Sequence, residues 1–182
     1  MLNPQALRII ELLDLRPLPQ EGGYFRETYR SGEKIPAEAL PARYASRACG
    51  RNHSTQIYFL LAPGLVSLMH LVQSDEVFHH YAGDAAEQLQ IWSEGTANIV
   101  TIGKDIERGE RPQVVVPRGV WQGCRALPGG PHGFTLLGCT VSPGFEWADF
   151  RLGTRAEMHA LCRTREKSVD DLIQALAPES VP

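Results

Sequence analysis

From Thr55 to Phe150 the chain is a succession of short apolar runs cut by Gly, Pro, Ser or Asp. "TQIYFLLA", "LVSLMHLV", "EVFHHYA", "EQLQIW", "ANIVTIG", "QVVVP" and "FTLLGCTV" are rich in β-branched and aromatic residues, a pattern that predicts strands. In "QLQIW", Leu89 and Ile91 oppose Gln88, Gln90 and Trp92, the period of two expected of a strand with unlike faces. "IYFLL" is apolar on both faces, which suits a strand held between a second sheet and another cover. Seven or more such runs in one block predict an all-β fold of two stacked sheets, a sandwich or jelly roll.

The ends carry a helical pattern instead. Asn3 is placed to cap a helix, Pro4 suits its first position, and Leu7, Ile10 and Leu13 form one apolar stripe, predicting a helix over about 4–14. Pro17 and Pro19 break it, and a strand is expected from Tyr24 to Tyr29. Thr154 and Glu157 match a capping box. Ser168 opens a further helix with Val169, Leu172, Ile173 and Leu176 on one face, so short helices are expected over about 155–177. With neither repeat nor linker, the 182 residues predict one domain, its β core over about 22–150.

Composition narrows the class. A formal net charge of -3 calls for neither nucleic acid nor an anionic membrane surface. No apolar run approaches the length of a membrane-spanning helix, and the N-terminus lacks the basic leader and cleavage site of a signal peptide. Cys49, Cys124, Cys139 and Cys162 are widely spaced with no CxxC pair, which predicts reduced thiols in a cytoplasmic protein.

Five collinear stretches resemble the cupin superfamily, and more closely its small subfamily of uncharacterised function: "EGGYFRETYRS", "STQIYFLL", "SLMHLVQSDEVFHHYAGD", "PQVVVPRGVWQG" and "GCTVSPGFEWADF". The resemblance implies a double-sheet jelly roll, the cupin β-barrel. It also implies a correspondence of residues. The first cupin motif is a His-x-His pair, a Glu, and a Gly seven residues later; His70, Glu76 and Gly83 match, and Val72 replaces the second His. In the second motif, Pro-x-Gly-x-x-His, Pro117 and Gly119 match and Gln122 replaces the His. Two of four metal-ligand imidazoles are thus missing, so no metal cofactor is expected. A metal, if bound, would use His70, Glu76 and His80, because alternation that turns Glu76 inward turns Phe78 and His80 inward too, unless a bulge reverses it.

By the resemblance His70 and Glu76 face a cavity, where they suit acid–base chemistry. His80, Gln113, Trp121 and Gln122 are the candidate ligand-binding residues, the last two suiting a sugar or base ring by stacking and hydrogen bonding. Arg43, Arg47 and Arg51 read as a solvated loop, with phosphate binding as the functional alternative. The subfamily is reminiscent of deoxysugar-nucleotide epimerases, which add a supporting Lys; Lys34, Lys104 and Lys167 have no evident place in the cavity. The expected function is therefore a small-molecule-binding cupin, an isomerase or epimerase on a sugar or nucleotide-type ligand. The alternatives are a metal-dependent cupin enzyme and a non-catalytic, storage-like binding protein. "EGGYFRETYR" also suits addition to a neighbour's sheet edge, predicting a homodimer.

Overall fold

The computed structural model describes residues 2–44 and 50–180. Arg47 and Cys49 lie outside the described residues. In chain order the first strands are β1 (Arg16–Pro17), β2 (Tyr24–Arg30), β3 (Lys34–Ile35), β4 (Arg51–Asn52), β5 (Thr55–Leu61) and β6 (Val66–Leu71). They are followed by β7 (Asp75–Gly83), β8 (Ala86–Ile91), β9 (Ala97–Ile102), β10 (Gln113–Val116), β11 (Trp121–Ala126), β12 (Thr135–Ser142) and β13 (Arg151–Leu152). Three helices flank them: α1 (Pro4–Leu12), α2 (Arg155–Leu161) and α3 (Lys167–Leu176).

The long strands form two facing antiparallel sheets, a double-sheet jelly roll. One has the order β1-β2-β5-β12-β7-β10, the other β13-β6-β11-β8-β9, and β3 and β4 make a separate pair. Phe59, Leu61, Phe78, Leu137, Val114 and Val116 fill the space between the sheets with Ala86, Ile102 and Cys124 from the facing side. Neighbouring strands are mostly non-consecutive, so the pairing depends on long-range contacts that no local pattern specifies.

The helices close the outer faces. The Ala6 amide donates to Asn3 Oδ1 at 2.7 Å, capping α1. Ala6, with Ile9, Ile10 and Leu13 alongside, packs against Leu60, Ala62 and Leu136 on the outer face of the six-stranded sheet. Leu7, expected in the apolar stripe, is exposed, because the stripe that meets the sheet is centred on the buried Ala6. Thr154 and Glu157 form the capping box of α2. In α3, Val169, Leu172, Ile173 and Leu176 are all buried against Met69, Leu89 and Ile91 on the outer face of the five-stranded sheet. Full burial of such side chains contributes about 1.5–3 kcal/mol each, enough to hold a helix too short to persist alone. Among the described residues no helix is long and apolar enough to cross a membrane.

One irregularity affects the site region. Along the β12–β7 ladder Leu137 is opposite His80 and Leu136 opposite Ala82, so Tyr81 is an extra residue in β7. Two residues on, Gly83 has φ +84°, and any Cβ there would collide with the Phe134 carbonyl oxygen. That collision gives the motif glycine its physical reason.

Candidate functional site

Between Leu71 and Asp75 the chain crosses from the five-stranded sheet to the six-stranded one. His70 at the end of β6 and Glu76 at the start of β7 therefore face each other from opposite sheets, only six residues apart. Both line a cavity of about 120 Å³ at this end of the barrel. Its walls are Phe25 and Ile57 from β2 and β5, Cys139 and Val141 from β12, and Val72 from the crossing. The volume is well below the roughly 300–1,000 Å³ of drug-sized pockets, so it receives one small group or ring.

His70 is buried and its Nδ1 lies 2.7 Å from the Leu68 carbonyl oxygen. A carbonyl only accepts, so Nδ1 carries a proton, and the neutral form of the ring has its lone pair on Nε2. Phe150 stacks on the imidazole at 5.2 Å between centroids. Burial pushes the Glu76 carboxyl up from 4.5 to about 7. His70 opposes that rise and the neighbouring charge of Glu21 adds to it, while hydrogen bonds from Gln122 and the Cys139 thiol also oppose it. The Cys139 thiol itself is held well above the usual thiol range by burial, so it is a hydrogen-bond donor rather than a nucleophile.

Gln122 sits directly opposite His70 on β11 and donates its Nε2 to Glu76 Oε2 at 2.7 Å. Behind it, Gln88 Nε2 donates to Gln122 Oε1 at 3.4 Å, and Gln90 Nε2 donates to Gln88 Oε1 at 2.8 Å. All three amides are buried. They form a polar file inside the barrel that ends on the Glu76 carboxylate and fixes its orientation. The polar face of "QLQIW" thus points inward, while Leu89 and Ile91 point outward under the helices.

Glu21 is a second acidic residue at the site, one that chain periodicity does not reveal. The loop before β2 is shaped by Gln20, Gly22 and Gly23, all at positive φ. A Cβ on Gly22 would collide with the Val66 carbonyl oxygen, so the loop can press against β6 only with glycine there. The Glu21 carbonyl accepts the Leu68 amide at 2.9 Å. Its side chain accepts the Ser67 hydroxyl at 2.6 Å and lies 4.0 Å from His70 Nδ1. The Glu-Gly-Gly run in "EGGYFRETYRS" was the available signal.

The other candidates lie elsewhere. Gln122 inward forces Trp121 outward, because adjacent strand residues face opposite ways. Trp121 packs among Met69, Leu89 and Met158, with Arg151 5.0 Å over its ring. On β10, Val114 and Val116 point inward, which leaves Gln113 exposed on the outer face opposite His79. His80 shares the inward side with Glu76, but Phe78 lies between them in β7, and His80 Nε2 is paired with the Asp84 carbonyl oxygen at 3.0 Å. Arg51 is buried rather than solvated, in an ion pair with Asp149 at 2.7 Å and against the Tyr44 ring. Arg43 also lies over the Tyr44 ring, 4.7 Å from its centroid, and donates to the Gln73 carbonyl.

The residues at the cupin metal-ligand positions do not fit a metal. Val72 presents only methyl groups to the cavity. Gln122 turns an N–H, not its oxygen, toward Glu76 and occupies one carboxylate lone pair. Among the described residues no group of three or more His, Cys, Asp or Glu side chains is arranged to hold a metal ion.

A family model described as cupin superfamily (DUF985) matches residues 7–153. An uncharacterised protein of Saccharomyces cerevisiae is 32% identical over 135 residues, which cover 71% of this chain and 66% of that protein. The alignment thus spans slightly less than two thirds of that relative's length. A hypothetical protein from Leishmania major has a similar structure, with TM-score 0.79, 30% identity, and coverage of 96% of this chain and 99% of that one. A protein from Shewanella oneidensis gives TM-score 0.78 at 31% identity, covering 99% of this chain and 100% of that one.

Proposed function

This chain belongs to the DUF985 family of the cupin superfamily, and on that premise we propose that its cavity binds a small sugar-type molecule and performs acid–base chemistry of the isomerase or epimerase kind. The observation that carries the reading is the His70–Glu76 pair. An imidazole with a free Nε2 and a carboxyl held near pH 7 look into one cavity from opposite sheets.

Such a pair suits proton transfer beside a carbonyl. His70 Nε2 takes the proton from the carbon next to the carbonyl, and the C–H electron pair moves into the enolate. Glu76, in its acid form, donates a hydrogen bond to the enolate oxygen. In an epimerisation His70 keeps that proton and the Glu76 carboxyl delivers its own to the opposite face of the carbon as the carbonyl re-forms; in an isomerisation Glu76 protonates the enolate oxygen and takes the neighbouring hydroxyl proton, while His70 returns its proton to the other carbon of the enediol. None of the three lysines lines the cavity, so the charge-supporting role falls to the neutral Glu76 carboxyl.

The test is solvent deuterium exchange into a panel of keto and aldo sugars, followed by proton NMR. The expected result is exchange at one carbon next to the carbonyl, reduced at least about a hundredfold by His70→Asn or Glu76→Gln. Ligand binding without exchange in any panel member would overturn catalysis and leave a binding protein.

A further inference from the structure

The cavity is unequally supplied with charge and with hydrogen-bonding roles. Four carboxyl groups line it, Glu21, Glu27, Glu76 and Glu146, against one guanidinium, Arg30. That guanidinium is already spent. Arg30 Nε and Nη2 donate to the two oxygens of Glu27 at 3.0 and 2.9 Å, and Nη1 donates to Glu146 Oε1 at 3.0 Å and Asn52 Oδ1 at 3.2 Å. The Phe145 carbonyl lies 3.4 Å from both terminal nitrogens. Arg30 therefore has no donor to offer an incoming phosphate or carboxylate, and the surrounding acids repel one.

Groups that accept are plentiful by contrast. Glu21, which lines the cavity, has Ser67 as its one hydrogen-bond donor from a side chain among the described residues, and that donor reaches only Oε1. The buried His70 ring adds an Nε2 lone pair with no hydrogen-bond partner among the described residues. At the mouth, Phe145, Trp147 and Phe150 pack edge-to-face with centroids 5.2 to 6.4 Å apart, and Trp147 is 43% exposed. An exposed aromatic group beside acids that outnumber their one guanidinium attracts a cation through the ring quadrupole as well as the charge.

We propose that the ligand carries an amino group, bound as its ammonium ion by Glu21 beside the Phe145–Trp147 aromatic wall, and that phosphorylated and nucleotide-linked sugars are excluded. The proposal rests on the cavity being the ligand site and deepens that reading by giving the substrate class: an amine-bearing sugar or polyol. An ammonium ion has donors and no acceptor, the complement of this lining. With its charge on Glu21, the ligand leaves His70 and Glu76 free for the reacting carbon.

Two probe series separate the ideas, each matched in size and differing in charge. One is D-glucosamine, D-glucose and D-glucuronate; the other is ethanolamine, ethylene glycol and glycolate. Affinities are read by isothermal calorimetry on the wild-type protein and on Glu21→Gln, which keeps an oxygen for Ser67. Thermal melts run alongside show that the variant is folded. In the series that binds, the amine is expected to be at least about tenfold tighter than the neutral probe, the worth of one charge-assisted hydrogen bond. Glu21→Gln is expected to erase that difference. If only the two-carbon amine binds with this preference, the amine inference stands and the sugar reading falls. If the sugars bind with no preference for charge, or glucuronate binds best, the amine inference is overturned and the sugar reading stands. Failure of both series, or a preference that survives Glu21→Gln, overturns the assignment to Glu21.

Discussion

Replacing Glu76 by Gln should stabilise this protein at neutral pH, although Glu76 is buried and hydrogen-bonded. The carboxyl titrates near 7 when folded against 4.5 ordinarily, with burial as the main cause. Between those values the folded protein holds a proton that the unfolded chain has released. Stability from this group is therefore fully present below pH 4.5 and is lost as pH rises through 7. Each pKa unit is worth about 1.36 kcal/mol, so the loss is about 2 kcal/mol by pH 6 and about 3 kcal/mol by pH 8. Gln has no proton to lose, and its amide oxygen still accepts from Gln122 Nε2, which stands 2.7 Å from the native carboxylate. The stability of Glu76→Gln minus that of wild type should thus climb by about 3 kcal/mol from pH 4.5 to pH 8. Urea unfolding of both proteins at pH 4.5, 6, 7 and 8 measures it, since every other group titrates in both and cancels. A difference that stays flat with pH, or falls, would falsify the claim that Glu76 is a desolvated acid.

Gly22→Ala should lower stability by about 1–3 kcal/mol, because alanine resists the positive φ and its Cβ meets Val66; it should also weaken ligand binding by displacing Glu21, as thermal melts with calorimetry will check. Val72→His combined with Gln122→His restores imidazoles at the cavity wall and directly opposite His70. It should bind zinc or nickel at least about tenfold more tightly than the unaltered protein by calorimetric titration, and no gain would sink the residue correspondence with the cupin motifs. We expect a homodimer in solution, since β1 pairs with only Tyr24 and Phe25 of β2 and no other strand among the described residues covers the rest of that edge. Light scattering at micromolar concentration that reads a mass near 20.1 kDa would refute it.

The fold was largely written in local pattern. Alternating and doubly apolar runs marked the strands, while Asn3, Thr154 and Glu157 marked helix starts by cap chemistry that acts within a few residues. His70 and Glu76 were legible too, through motif positions whose spacing spans the crossing between the sheets. Period two separates the faces of a strand without saying which face is covered. In β8 the apolar face went to the helices and the glutamines went inside, a choice made by α2 and α3 some seventy residues away. The same ambiguity sent Trp121 under those helices and Gln113 to the surface. Glu21 and the aromatic mouth reach the cavity from loops, where no periodicity exists to be read; contacts with Val66, Ser67, Leu68 and His70 put Glu21 there. The chain by itself determined which residues form strands and which acid and imidazole cross between sheets. Tertiary packing decided which polar groups were buried with them, because burial depends on what lies across the sheet rather than along the chain.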